Sequence, residues 1–200
     1  MKTILFIGSH FDDVEIGCAG IMRDQIINGD EIYISVLDAN EGRTGSPEDR
    51  FKEQCESMDL LKLDLSNLIL FNGERLHTID GIINRLDKFK PDIIYIPWEK
   101  DTHQSHRRCF EVGQSIGRKR NITTLMYHCG SSIDFNPNLF YIIDWEKKIE
   151  ILNCFRTQID CESINIDIIK AQERYFATLI SDKEDEYAEG FVVKKMRYVI

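Results

Sequence analysis

The feature that most constrains this chain is an alternation. Short, unbroken apolar runs take turns with segments of helical spacing from the N-terminus to about Tyr127. Thr3 to Ser9, Glu31 to Leu37, Asn67 to Phe71, Asp92 to Ile96 and Thr123 to Tyr127 read as strands. Glu15 to Ile27, Pro47 to about Leu63, Thr78 to Phe89 and Ser105 to Arg118 read as the helices between them, with Pro47 well suited to a first helical turn. Runs that are apolar throughout belong to strands covered on both faces, as in parallel sheets. The expectation is an α/β protein with a single domain over residues 1–200: a Rossmann-like, three-layer fold with a mostly parallel sheet. The last third is less regular. Phe140 to Ile143 reads as a strand, Glu146 to Phe155 and Ile164 to Leu179 as C-terminal helices, and Asp182 to Glu186 as a solvated loop.

Composition narrows the partners. A formal net charge of −9, spread along the chain, argues against nucleic acid or an anionic membrane surface. The apolar run Ile4 to Ile7 is shorter than the roughly 7–15 residues of a secretory h-region. No stretch approaches the ~20 apolar residues of a membrane span. The six cysteines contain no Cys-x-x-Cys pair, so free thiols in a cytoplasmic protein are expected, not a cysteine zinc site. Whether the chain forms a homo-oligomer is not legible.

Two constellations carry chemistry. Ser9-His10-Phe11-Asp12-Asp13 follows the first strand, and Asp101-Thr102-His103-Gln104-Ser105-His106 follows the fourth. In the doubly wound order 3-2-1-4-5, strands one and four are neighbours at the point where the winding reverses, and ligands bind beyond the carboxyl ends there. His10, Asp13 and His106 then form three protein ligands for a divalent ion such as zinc, with a position left open, which is a catalytic pattern. Asp12 stands beside them, free to take a proton from water. His103 is left as an imidazolium facing a developing oxyanion or as a general acid. Competing readings attach to single residues: Asp13 is placed to be an N-cap, as is Ser105 before the second helix. Gly17, Cys18, Ala19 and Gly20 make one side of the first helix small, which suits close packing on a strand. The Gly-x-Gly-x-x-Gly dinucleotide fingerprint is absent.

These residues resemble the zinc-dependent sugar N-deacetylases of the PIG-L / LmbE-like family. Its first motif reads approximately Ala-His-Pro-Asp-Asp-Glu and its second His-x-Asp-His. The likeness continues through Glu41-Gly42, Arg50 with Glu53, Lys148, Phe155-Arg156-Thr157-Gln158 and Tyr187-Ala188-Glu189-Gly190-Phe191. It departs at Phe11, Val14, Gln104, Ser105 and Asn72. The resemblance implies one zinc ion, or another divalent metal, on His10, Asp13 and His106, with Asp12 as general base and His103 as oxyanion stabiliser. It implies a small N-acyl amino-sugar substrate, acetyl being the family default, and a substrate contact for Arg50. Glu41, Arg43, Asn72, Trp98 and Asp101 are further candidates for substrate binding. Trp98 would stack on a sugar face, and Arg43, Arg50, Lys100 and Arg107 would hold a phosphate if the substrate has one. Two alternatives compete: a nucleotide-dependent Rossmann-type transferase or reductase, and a non-catalytic sugar-binding relative.

Overall fold

The computed structural model describes residues 1–71, 78–119 and 121–196. Strands β1 (Thr3–Gly8), β2 (Glu31–Val36), β3 (Leu68–Leu70), β4 (Ile93–Pro97) and β5 (Thr123–Tyr127) pair in parallel in the order β3-β2-β1-β4-β5. Helices α1 (Asp13–Ile27), α2 (Pro47–Leu61), α3 (Ile79–Leu86) and α4 (Gln104–Gly117) lie between them in sequence. This is the expected doubly wound core, and β1 and β4 are its central neighbours.

The strands pack both ways because alternate side chains point to opposite faces. Ile4 and Phe6 of β1 join Val14, Ala19 and Met22 of α1 on one face. Leu5 and Ile7 join Ile82 and Leu86 of α3 and Val112 and Ile116 of α4 on the other. The small side of α1 is a packing device. A Cβ on Gly17 would stand 2.3 Å from the Tyr127 ring, and one on Gly20 would stand 2.4 Å from Ile143 Cγ2.

The C-terminal end holds the expected helices and the expected strand near Phe140 to Ile143, and adds one strand that the sequence did not mark. It supplies α5 (Trp145–Leu152), α6 (Arg156–Asp160) and α7 (Ile166–Thr178), but also two antiparallel strands. These are β6 (Leu139–Ile143) and β7 (Tyr187–Lys195), and β7 inserts between β5 and β6 to complete a seven-stranded sheet. β7 carries a buried glutamate. Glu189 accepts the backbone N–H groups of Gly20 (2.8 Å) and Ile21 (2.9 Å) in α1. Buried Lys148 of α5 donates to Glu189 (2.7 Å), to Glu173 of α7 and to the Ile16 carbonyl (2.7 Å). A buried charge is tolerated only when paired and hydrogen-bonded in this way. Burial, with the second carboxylate nearby, pushes Glu173 up to about 7 although Lys148 opposes the shift. No helix among the described residues is long and apolar enough to cross a membrane.

Candidate active site

Both motif loops leave the carboxyl ends of β1 and β4 side by side. In the first, Asp12 has φ 113°, a region non-glycine residues rarely adopt, and this turns the chain from β1 into α1. Asp13 is the first residue of α1 and does not act as its N-cap. Its carboxylate reaches back instead: Oδ2 accepts the backbone N–H groups of Ser9 (2.8 Å) and His10 (2.9 Å). That leaves Oδ1 directed at His106 Nε2, 3.2 Å away.

In the second loop His103, not Ser105, caps α4: its Nδ1 accepts the Ser105 N–H at 3.3 Å. His106 lies in the first turn, as expected. Behind it sits Asp101, whose Oδ2 is 3.2 Å from His106 Nδ1. Asp101 also accepts from the His103 N–H (2.8 Å) and from the hydroxyls of Ser131 (2.6 Å) and Ser132 (2.9 Å). With Nδ1 committed to Asp101, His106 directs Nε2 forward, the orientation that an outer carboxylate gives a metal-binding histidine.

His10, Asp13 and His106 are all buried, and one donor atom from each lies within 4.8 Å of the others. Two imidazoles and a carboxylate so grouped suit a divalent ion of the zinc type. Asp101, His106 and Cys129 make a second cluster of this kind. It suits an ion poorly, because burial pushes the Cys129 thiol up to about 12 and Asp101 is already engaged by four donors.

The electrostatics are those of a desolvated site. Burial opposes ionisation of Asp13, but His106, His10 and the backbone bonds outweigh it and hold the carboxyl far below the usual range. Burial likewise opposes charge on His106, and Asp13 and Asp101 raise it above its ordinary value. Asp12 moves upward, through burial first and then the Asp13 charge, with Arg50 opposing. Burial and the neighbouring His106 lower His103. The cluster lines a cleft of about 310 Å³, and His10 and His103 also face a neighbouring depression of about 280 Å³ with Asp38, Asn40 and Ser105.

A sequence model of the PIG-L family, described as GlcNAc-PI de-N-acetylase, matches residues 5–116, more than half of the 200. The chain belongs to the PIG-L family. Solved structures share its fold across nearly the whole chain. The conserved protein TT1542 of Thermus thermophilus aligns with TM-score 0.76 at 23% identity, covering 100% of this chain and 98% of its own. The N,N'-diacetylchitobiose deacetylase of Pyrococcus horikoshii gives 0.76 at 19%, covering 96% and 83%. The 4-carboxy-2-hydroxymuconate hydratase GalB of Pseudomonas putida gives 0.75 at 14%, covering 100% and 99%. A fold that carries both a deacetylase and a hydratase leaves the reaction to be argued from the site.

Measured against the family pattern, the expected residues divide. His10, Asp12, Asp13, His103 and His106 converge, and Glu41, Arg43 and Arg50 line the same cleft. Arg50 is not a free clamp. It is buried, donates to Glu41 and to the Phe11 carbonyl (3.0 Å), and lies 3.6 Å from Asp12 Oδ2. Asp101 faces His106 and the serines, not the cleft, so it positions a histidine. Trp98 is turned into the core: its Nε1–H donates to the Ile133 carbonyl (2.9 Å) and its ring packs edge-on against Phe135. Asn72 lies outside the described residues. The departure at Phe11 is filled by burial against Phe51. Ser131, Ser132 and Gly130, in the loop after β5, were not foreseen, and no signal in the sequence marks them. Gln158, noted above only through the resemblance, also lines the cleft; it ties α6 to the loop after β2 by bonding Thr44 at both ends of its amide.

Proposed function

We propose that this protein is a metal-dependent hydrolase that removes an N-acyl group, acetyl in the first instance, from a small amino-sugar conjugate. The observation that carries the reading is the convergence of the His10, Asp13 and His106 donors within 4.8 Å, in a cleft that Asp12 and His103 also line. In this reading the whole chain is one domain of the family type, and its ion is zinc. The six free cysteines suit the reducing cytoplasm. The ion would be held by His10, Asp13 and His106. It supplies Lewis acidity toward water and an acyl carbonyl, and positive charge that favours the ionised form of Asp12.

The chain's own groups then divide the work. Asp12 takes a proton as water adds to the acyl carbon, and its carboxyl returns that proton to the departing amine. A carboxyl whose pKa is lifted by burial is suited to both halves of that exchange. His103 acts as a neutral donor in this reading. Its Nδ1 accepts from the Ser105 N–H, so the ring proton sits on Nε2 and is available to the oxyanion. Its lowered pKa keeps the ring uncharged. Removing one such donor typically costs about 10²–10³ in rate. Arg50 holds the Phe11 carbonyl and the Asp12 carboxylate, keeping the strained turn and the base in place.

The test is acetate release from N-acetylglucosaminyl compounds by protein stripped with a chelator and then restored with zinc. Activity that survives chelation, or none with any N-acyl sugar after zinc is restored, would sink the reading. Asp12→Asn should retain zinc and lose at least about 10² in rate; full activity in that variant would remove Asp12 from its role.

A further inference from the structure

A second cavity, of about 180 Å³, opens from the cleft. The two have Ile16, Gly130 and Ser163 as common walls, so whatever occupies the cleft can extend into it. Its apolar lining comes from Ile16 of α1 and Ile168 and Ile169 of α7. Ile169 is buried and Ile168 is 64% exposed, so this apolar wall runs out to the protein surface. His128 adds an imidazole that burial pushes down to about 4, hence uncharged at neutral pH. Asn165 and Gln172 line it with amides, Ser163 with a hydroxyl and Glu162 with a carboxylate. Among the described residues no lysine or arginine lines this cavity.

The cations around the cleft are mostly engaged. Arg50 is sealed between Glu41 and Asp12. Arg107 donates to the carbonyls of Asp101 (2.7 Å) and Thr102 (2.9 Å), and Lys100 lies 3.7 Å from Asp134. Arg43, 89% exposed, faces Glu41 at 4.0 Å. Asp38, Glu41 and Glu162 add negative charge along the cleft and cavity walls. An anionic substituent would meet little compensation here and some repulsion.

We propose that the substrate carries an uncharged, ring-sized second group with an apolar face, and that this group seats in the side cavity between α1 and α7. The inference deepens the hydrolase reading and rests on it. A cavity of roughly 150 Å³ is large enough for benzene, so this one has room for one six-membered ring. Amides beside three isoleucines suit either a second neutral sugar or an aryl group. A phosphate in place of that ring would meet Glu162 and, among the described residues, no lysine or arginine in this cavity.

The experiment compares kcat/KM for acetate release by the zinc-loaded protein across four compounds: free N-acetylglucosamine, its phenyl β-glycoside, a neutral β-linked disaccharide bearing it at the non-reducing end, and its 1-phosphate. Filling an apolar pocket should favour the phenyl glycoside, the disaccharide or both over the free sugar by at least about tenfold; which one gains more identifies the source of the ring. The 1-phosphate should do no better than the free sugar. Ile168→Glu should reduce the conjugate-to-free ratio about tenfold. Residue 168 is exposed and in the first turn of α7, where an acidic residue is favourable, so the variant should fold. Equal kcat/KM for all four compounds, a preference for the 1-phosphate, or a ratio unmoved by Ile168→Glu overturns the proposal and leaves the hydrolase reading standing. If no compound releases acetate, the hydrolase reading falls. Calorimetry then reads the cavity alone: phenyl glycoside binding about tenfold tighter than free sugar, and lost in Ile168→Glu, supports it, and equal affinity overturns it.

Discussion

Asp101→Asn is the sharpest test of how the centre is held. The substitution keeps shape and removes charge, and its cost follows from four donors meeting two oxygens. One oxygen receives the His103 N–H and the Ser131 hydroxyl; the other receives the Ser132 hydroxyl and faces His106 Nδ1 at 3.2 Å. An amide has one acceptor oxygen. If its NH₂ turns toward His106, Nδ1 must accept, and the ring proton moves to Nε2, the atom that faces Asp13. If the NH₂ turns the other way, it confronts the His103 N–H, and the loop that presents both histidines loses its anchor. Either outcome weakens the three-ligand set without touching a ligand. Losing an outer partner of a metal-binding histidine typically costs about 10–100-fold in metal affinity, or about 1.4–2.7 kcal/mol. The assay is competition for zinc between the stripped protein and a chelating dye, with circular dichroism confirming the fold. Zinc affinity within twofold of the parent protein would refute the idea that Asp101 acts through His106.

Three further outcomes are expected. Gly17→Ala should destabilise by about 1–3 kcal/mol through overpacking, since its Cβ would stand 2.3 Å from the Tyr127 ring; calorimetry should find a fall of about 2–4 °C per kcal/mol, and an unchanged Tm would contradict the close packing. Trp98→Phe should lose the bond to the Ile133 carbonyl, about 1 kcal/mol of stability, with KM unaltered; a large rise in KM would return the ring to a substrate-stacking role. Glu173 lies against Lys148 and Glu189, and its pKa is raised from an ordinary 4.5 to about 7. Between those values the folded state holds the extra proton, so its contribution to stability is full below about 4.5 and is lost as pH rises through about 7. Urea unfolding at pH 5 and 8 should show a loss in the parent protein that Glu173→Gln reduces, and parallel losses would refute the assignment.

The parallel half of the fold was legible because its strands are largely apolar on both faces, a pattern that buried parallel strands impose. β7 was not. Its middle, Ala188-Glu189-Gly190, lacks the β-branched residues of a typical strand. Its glutamate is tolerated because Lys148, 41 residues away, and the Gly20 and Ile21 N–H groups reach it. Gly190 is needed there because the Phe176 ring lies 2.9 Å from where a Cβ would stand. Those partners are set by tertiary structure and leave no local trace. The grouping of His10, Asp13 and His106 was legible for the opposite reason, since strand order alone carries both loops to one crevice. The bracing contacts of Arg50 and Asp101 were not legible, because a charged side chain in a motif looks the same whether it faces a ligand or braces a neighbour. Only the carboxylates, carbonyls and hydroxyls around each one decide that.

The positive φ of Asp12 has a consequence for how such a protein changes over time. A non-glycine residue held there stores about 1–3 kcal/mol of backbone strain. Glycine at residue 12 would release it, yielding a chain more heat-resistant than its parent and without the carboxylate. In the hydrolase reading, with Asp12 as the base, selection for durability and selection for turnover therefore pull in opposite directions at this one residue. A lineage released from the need for activity would be expected to drift toward glycine here before it lost the histidines.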